Sequence, residues 1–188
     1  GNITYANASS SAIDNVEVNL VKNGATVYTT TTDSSGHYNF PEVLQGAYDV
    51  YLSRSGNINS ATLLISGLDA LYVKLFVLGS VQIYGISILA GDVYENSPNS
   101  ILTSSDDNVT PSDSLSIQLI AAGSITPSPG KWVFAKSENI NTSYGGFPIP
   151  FATSGGFSNI SITIGNADLV QNFTSRAYGD VNGSYTPS

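Results

Sequence analysis

The feature that most restricts the fold is a pattern that occurs twice, 44 residues apart. Each copy has an aspartate, leucines two and six residues later and a glycine at plus ten, as in Asp69, Leu71, Leu75 and Gly79 and again in Asp113, Leu115, Leu119 and Gly123. Leucines at this spacing share one face of an α-helix, and glycine commonly follows a helix end. We therefore predict two helices, at about 66–79 and 112–123, which form an antiparallel pair within an internal duplication.

A second motif, Gly-Asp-Val, stands at residues 91–93 and again at 179–181, where Asn182, Gly183 and Ser184 follow it. An acidic loop that leads into a helix with a carboxylate in its first turn has the order of an EF-hand-type calcium loop. The first motif precedes the Asp113 helix. The Asp69 helix lacks such a loop before it, and the C-terminal loop lacks a helix after it, so we predict that these two halves meet.

The predicted site takes alternate oxygens from Asp180, Asn182 and Ser184, a backbone carbonyl near Tyr185, and the carboxylate of Asp69 to close the shell around Ca²⁺. It would join two points of the chain more than 100 residues apart.

A second calcium site is predicted from Asp92, Asp106 and Asp113, with an insertion from Tyr94 to about Ser105. The alternative for Asp69 and Asp113 is that they only cap their helices, a role in which aspartate accepts backbone amide hydrogens. The alternative for Asp106 is a solvated turn.

Residues 1–53 alternate with the period of a β-strand. Val16, Val18 and Leu20 lie on one side of such a strand and Glu17 and Asn19 on the other. Further β-branched and aromatic runs at 26–32 and 47–52 are separated by turn residues, including Asp33-Ser34-Ser35-Gly36. Short strands joined by turns predict a β-sandwich over residues 1–55.

Two resemblances accompany these patterns. The run NVEVNLVKNGATVYTTTTDSSGHYNFPEVLQGAYDVYL resembles a prealbumin-like, carboxypeptidase-regulatory or Cna-B type sandwich, which implies a stalk or spacer module of a secreted protein. The Asp-x-Leu helices and Gly-Asp-Val loops are similar to a type I dockerin region of secreted Bacteroidota proteins. That second resemblance implies calcium binding and docking to a cohesin-like protein partner.

The expected fold is mainly β with a small α part. The second unit spans 57–188 and combines the helix pair, strands within 131–175 and the C-terminal Gly-Asp-Val-Asn-Gly-Ser half-loop. A Gly/Pro-rich loop at 143–156 contains Phe147, Ile149 and Phe151, so it either packs down or meets a partner. The apolar run from Leu71 to Ala90 is interrupted by Lys74, Gln82 and glycines, which favours a buried helix followed by a buried strand over a membrane span.

Composition restricts the partners. The net charge of −8 argues against nucleic acid and anionic membranes, and the absence of cysteine excludes disulfides and thiolate metal sites. Charged residues make up only 11% of the chain, which suits a secreted or polymerising protein better than a cytosolic one. Asn-X-Ser/Thr sequences fit an extracellular glycoprotein and occur at Asn2, Asn7, Asn108, Asn141, Asn159, Asn172 and Asn182.

No catalytic constellation stands out. The single histidine, His37, follows a turn, and Glu17, Glu42 and Asp49 fall on expected solvent faces. We therefore predict a non-enzymatic, extracellular structural subunit of a surface filament or stalk, self-associating as a homo-oligomer or polymer and stabilised by calcium. The alternatives are a dockerin-like module that binds a cohesin-like partner, and the accessory tail of a secreted hydrolase.

Overall fold

The computed structural model of the chain describes residues 1–54, 65–93, 109–125, 132–140, 150–153 and 158–187. The strands and helices of these residues, in chain order, are β1 Ile3–Tyr5, β2 Val16–Lys22, β3 Ala25–Thr31, β4 Gly46–Arg54, α1 Gly67–Val77, α2 Ile86–Gly91, α3 Pro111–Ala121, β5 Trp132–Lys136, a 3₁₀ turn Ser137–Asn139, β6 Phe151–Thr153, β7 Ser161–Ile164 and β8 Phe173–Ala177. The prediction of a mainly β fold with a small α part is confirmed.

The strands form two four-stranded sheets, one in the order β3-β2-β4-β7 and the other in the order β1-β8-β5-β6. β1 pairs in parallel with β8, with Ile3 opposite Phe173. β7 pairs antiparallel with β4, with Tyr48 opposite Ile162. Each sheet therefore combines strands from the beginning and the end of the chain, while the division at residues 55–57 stays a prediction.

The hairpin β2–β3 follows directly from its sequence. Val16, Val18 and Leu20 are buried, whereas Glu17 between them is exposed, as the alternating pattern predicts. The turn consists of Asn23 and Gly24, whose φ angles of 51° and 77° are the left-handed values that a two-residue type I′ turn requires.

Aromatic side chains fill the core between the sheets. Tyr5 of β1 makes edge-on contacts with Trp132 of β5, at 5.7 Å between ring centroids, and with Tyr185, at 5.2 Å. Arg54, at the end of β4, lies over the Trp132 ring at 4.9 Å and forms an ion pair with Asp14. This cluster attaches the C-terminal segment around Tyr185 to the first strand of the chain.

The duplicated segments form α1 and α3, and these two helices pack against each other. The hydroxyl of Ser114 donates a hydrogen bond of 2.9 Å to the carbonyl of Ala70, which lies one repeat offset of 44 residues earlier. Equivalent positions of the two copies therefore meet in the helix pair.

The prediction of a buried strand before Ala90 is wrong, because this segment forms the short helix α2. The helix begins after Gly85, which has a φ of 49° and packs so closely that an added Cβ would lie 1.9 Å from the carbonyl oxygen of Ile140. Five of its six residues are buried, so the run has no polar face from which the helical period could be read.

None of the helices in the described ranges has the length and hydropathy that crossing a bilayer requires. Most of the predicted loop 143–156, including Phe147 and Ile149, lies outside the described residues. Phe151 is described and is fully buried in β6, so this residue packs into the fold.

Candidate cation site and helix face

The first predicted ligand, Asp69, lies in the first turn of α1 and is fully buried. One carboxylate oxygen, Oδ2, accepts hydrogen bonds of 3.0 Å from both the backbone amide and the hydroxyl of Ser66. Ser66 in turn accepts the amide hydrogen of Leu68 through its hydroxyl oxygen, so the two residues form a capping box. The capping role considered for Asp69 therefore exists, and it occupies only one of the two oxygens.

The predicted C-terminal half-loop curls around the carboxylate of Asp180, which is also fully buried. Its Oδ1 accepts the amide hydrogen of Ser184 at 3.0 Å, and its Oδ2 accepts that of Tyr185 at 3.2 Å. Asn182 accepts the same Ser184 amide through its side-chain oxygen at 2.8 Å. These bonds fold residues 180–185 into a compact turn.

The two predicted halves meet. The backbone amide of Asn182 donates a hydrogen bond of 3.1 Å to the second oxygen of Asp69, Oδ1, across 113 residues of sequence. Asp69 and Asp180 are close enough for the charge of Asp180 to act on the pKa of Asp69. The loop order in the sequence therefore predicted a contact that the structure contains.

Two residues that the sequence analysis did not identify complete the surroundings. The phenol of Tyr5 donates a 2.6 Å hydrogen bond to Oδ2 of Asp180 and accepts the amide hydrogen of Ala177. The guanidinium of Arg176 donates to the hydroxyl of Ser87 and to the carbonyl oxygens of Val181 and Ala6. Tyr5 comes from β1, far from the loop in sequence, whereas Arg176 lies in β8, just before the loop, and no local pattern marks either residue.

Burial governs the electrostatics of this cluster. It raises the pKa of the Asp69 carboxyl, and the nearby charge of Asp180 raises it further, against the hydrogen bonds from Asn182 and Ser66. Burial lowers the pKa of Arg176, while the charges of Tyr5, Asp180 and Asp69 oppose that shift. Burial and then Asp180 also raise the pKa of Tyr5 well above its usual range. The charges of two buried carboxyl groups thus act on one buried guanidinium.

The second predicted site repeats part of this arrangement. Asp113, in the first turn of α3, accepts the amide and hydroxyl hydrogens of Thr110 through Oδ2, at 2.8 and 2.7 Å. Its Oδ1 accepts the amide hydrogen of Val93 at 2.9 Å. Val93 directly follows Asp92, so the first Gly-Asp-Val motif contacts Asp113 through its valine. Asp106 lies outside the described residues.

Only two of the oxygen-bearing side chains that could bind a cation here, Asp69 and Asp180, can carry a negative charge. Within the described ranges, no three side chains of the His, Asp or Glu type come together as metal ligands. A hard cation there would rest on two carboxylates and on neutral oxygens, those of the Asn182 side chain, the Ser184 hydroxyl and the backbone.

The helix pair also carries an exposed apolar face. Its members are exposed leucine and isoleucine side chains of the duplicated segments: Leu68, Leu71 and Leu78 from the first copy, and Leu115, Leu119 and Ile125 from the second. Leu78 and Leu115 expose 66% and 57% of their surface. Exposed aliphatic residues grouped on one structural unit are typical of an interaction surface.

Comparison with known proteins supports one of the two resemblances. Residues 4–70 match the family described as SdrD B-like domain, a β-sandwich domain of the Cna-B and prealbumin-like type. Domains of this family are non-catalytic parts of surface proteins. No curated protein and no solved structure matches the chain. The dockerin resemblance of the remaining residues gains no support from these comparisons.

Proposed function

We propose that the chain is a non-enzymatic, extracellular structural subunit, part of a surface stalk or filament, whose C-terminal loop is held to the helix pair by calcium. The observation that carries the proposal is the contact between Asn182 and Asp69, because it brings two buried carboxylates and a curled, oxygen-rich loop together. The SdrD B-like match of residues 4–70 supports the extracellular structural role.

The chemistry of the donor set fits calcium. Oxygens of Asp180, Asn182 and Ser184 stand at alternate positions of one compact turn, and Asp69 faces that turn from α1. A carboxylate oxygen has two lone pairs, so an oxygen that accepts an amide hydrogen can also coordinate a cation. Calcium prefers such oxygen ligands and tolerates irregular geometry better than magnesium does.

Charge balance supports the same proposal. When Asp69 and Asp180 are both ionised, Arg176 supplies one positive charge against two negative ones, and all three groups are buried. Buried charge without compensation is costly, so a cation at this point would stabilise the folded chain. Because only two ligands are charged, we expect the weak affinity of extracellular calcium modules, a dissociation constant of roughly 10⁻⁴–10⁻³ M.

The test compares melting temperatures in calcium and in EDTA. Calcium at 100 times its dissociation constant should stabilise the wild type by about 2.7 kcal/mol, which corresponds to roughly 5–10 °C in a chain of this size. Asp180→Asn should abolish this calcium-dependent difference. The matched control Asp49→Asn changes an exposed carboxylate on β4 and should retain it.

Absolute melting temperatures are a poor readout here, since Asp180 also accepts hydrogen bonds from Tyr5, Ser184 and Tyr185 and any substitution weakens the fold in EDTA as well. The informative quantity is the difference between the two buffers for each variant. Equal calcium-dependent shifts in Asp180→Asn and the wild type would show that the proposed site is wrong.

Assembly into a homo-oligomer or polymer belongs to the same proposal. A chain with few charged residues carries little repulsion between copies over much of its surface. Light scattering of the full chain at high concentration, with and without calcium, measures it directly. If the chain is monomeric under both conditions, the filament is excluded and the proposal is reduced to a monomeric stalk module.

A second candidate function is docking to a cohesin-like protein through the exposed face of the helix pair. Leu71 and Leu115 occupy equivalent positions of the duplication and are both exposed, a specific observation that favours this function. The test is binding of the full chain to a panel of cohesin-like modules by biolayer interferometry. Leu71→Ser combined with Leu115→Ser should weaken binding at least tenfold, while the exposed control Val27→Ser on β3 should not. Absence of binding by the wild type to every module would exclude docking of this kind.

A further inference from the structure

A half-open cavity of about 1040 Å³ lies over the sheet β3-β2-β4-β7, away from the cation site. Inner-face side chains from all four strands form its apolar floor, including Leu20, Tyr28, Val50, Ile162 and Ile164. The connections at 37–44 and 165–171 form its walls. All of these residues are described, and the proposed function uses none of them.

The facing sheet does not cover this part of the floor. Among the described strands of that sheet, only β8 contributes to the lining, through Phe173 at its first position. In an ordinary sandwich, the inner faces of the two sheets interdigitate at about 10 Å from each other. Here the apolar face of one sheet extends beyond the other, and Tyr28, Ile162 and Ile164 remain only half-buried.

The mouth of the cavity is unusually apolar. Leu44 and Val170, on the two loops that frame it, expose 74% and 73% of their surface, and the neighbouring Leu169 is also exposed. Isolated exposed aliphatic residues are common, whereas several around an apolar cavity are typical of a binding surface.

The strand β7 offers a place where an extended chain can pair. It is the last strand of its sheet, and its outer edge pairs with no other strand in the described part of the chain. Ile162 and Ile164 of this strand line the cavity, so the free edge and the apolar floor are adjacent. An unpaired edge is a template for strand addition, and pockets beside it select alternate side chains of the added strand.

The charges that line the cavity indicate which kind of peptide segment could bind there. The lining includes the carboxylates of Glu42 and Asp168, and no Lys or Arg side chain is among its described residues. A segment with basic residues at its ends would complement these carboxylates, and an acidic one would be repelled.

Within the described residues, a second copy offers no free extended segment with basic residues at its ends. Lys22 and Lys136 end the strands β2 and β5, which are paired on both sides, and Lys74 lies on the helix α1. Arg54 is paired with Asp14, and Arg176 is buried.

We propose that this cavity receives an extended segment of a different polypeptide, which pairs with the free edge of β7, places alternate apolar side chains beside Ile162 and Ile164 at the mouth, and carries Lys or Arg at its flanks. The segment extends the sheet and closes the apolar cavity at the side where β7 ends. The proposal is independent of calcium, so its outcome and that of the cation site can be distinguished.

The test titrates the ¹⁵N-labelled full chain with two synthetic peptides in EDTA. Both have the core Val-Thr-Val-Ile-Val-Thr, one with Lys and the other with Glu at each end. We expect chemical-shift changes at 38–44 and 161–171, and binding of the Lys peptide at least tenfold tighter than that of the Glu peptide. The double variant Glu42→Lys and Asp168→Lys should reverse this preference.

Two substitutions at the mouth of the cavity test the contribution of its apolar side chains to binding. Leu44→Ser with Val170→Ser should weaken binding of the Lys peptide at least fivefold, while Leu78→Ser, at another exposed position on the helix pair, should leave it unchanged. Shifts that map elsewhere, no shifts at millimolar peptide, or a preference that survives the charge reversal would overturn the proposal. A dimer of the wild type that dissociates on Val170→Ser would overturn the choice of partner.

Discussion

Asp69 accepts the backbone amide hydrogen of Asn182 on one oxygen while its other oxygen caps the helix that it begins. The carboxylate thereby connects the start of α1 with a loop 113 residues later. A substitution of Asp69 therefore removes both the helix cap and the link to the loop, because one side chain provides both. Its protonation state should consequently influence the stability of the whole fold.

The first prediction concerns pH. Burial and the charge of Asp180 raise the pKa of Asp69 in the folded chain. A folded pKa above the unfolded one contributes stability that is fully present below the unfolded pKa and is lost as pH rises through the folded pKa. In EDTA, the melting temperature of the wild type relative to Asp69→Asn should therefore decrease as pH rises from acidic values toward neutral.

The comparison with Asp69→Asn cancels the titration of the carboxyl groups that lie far from Asp69, which both proteins share, and reports on Asp69 together with its neighbour Asp180. In calcium the trend should reverse, since protons and the cation compete for the same oxygens. A constant difference between the two proteins across the pH range in EDTA would contradict the raised pKa.

The second prediction concerns Tyr5. Tyr5→Phe removes the donor to Asp180 and the acceptor of the Ala177 amide hydrogen, both in a fully buried environment. Leaving buried polar groups without partners costs about 1–3 kcal/mol. The control Tyr38→Phe removes a single hydrogen bond to the carbonyl of Gln171. Urea unfolding should show a larger decrease in the free energy of unfolding for Tyr5→Phe than for Tyr38→Phe. Equal decreases would show that the hydrogen bond to Asp180 contributes no more than the bond from Tyr38 to Gln171.

How far the sequence predicts this structure can be judged from particular elements. The spacing of Leu71 and Leu75, repeated 44 residues later, located α1 and α3 correctly. It did not identify the buried face of these helices, because Leu71 and Leu115 are exposed, whereas Ala70, Val73 and Ile117 are buried. The order of the Gly-Asp-Val motifs predicted the meeting of Asp69 with the C-terminal loop. The alternation of β2 likewise identified the inner face of the sandwich.

Other features follow from long-range pairing and could not be read from local patterns. Tyr5 reaches Asp180 because β1 pairs in parallel with β8, a register that no local residue encodes. The helix α2 escaped prediction because a short run buried on nearly every side has no period. Its start depends on Gly85, whose conformation is selected by a close approach to Ile140.

The third prediction concerns Asn182. Asn182→Asp would add a third carboxylate to the turn that faces Asp69, and ligand charge count sets the affinity of calcium loops. Calorimetry should show at least fivefold tighter calcium binding, and the melting temperature in EDTA should fall because like charges repel. The control Asn39→Asp, at an exposed position, should change neither quantity. Unchanged calcium affinity in Asn182→Asp would argue against Asn182 as a ligand.

The last prediction compares two glycines, Gly85 before α2 and Gly67 at the start of α1, and tests the packing of Gly85 against Ile140. Gly85 has a φ of 49°, and a Cβ there would lie 1.9 Å from the carbonyl oxygen of Ile140. Gly67, at the first position of α1, has no atom within 4 Å of such a Cβ. Gly85→Ala must displace backbone and adopt a strained conformation, so we expect a loss of about 3 kcal/mol or more, at the upper end of single-residue effects. Gly67→Ala should instead stabilise the chain by about 0.4–1 kcal/mol, because alanine restricts the unfolded state and suits a helix. Denaturant unfolding of both variants measures the difference. A mild effect of Gly85→Ala would mean that the turn before α2 can relax, and that α2 does not depend on its close contact with Ile140.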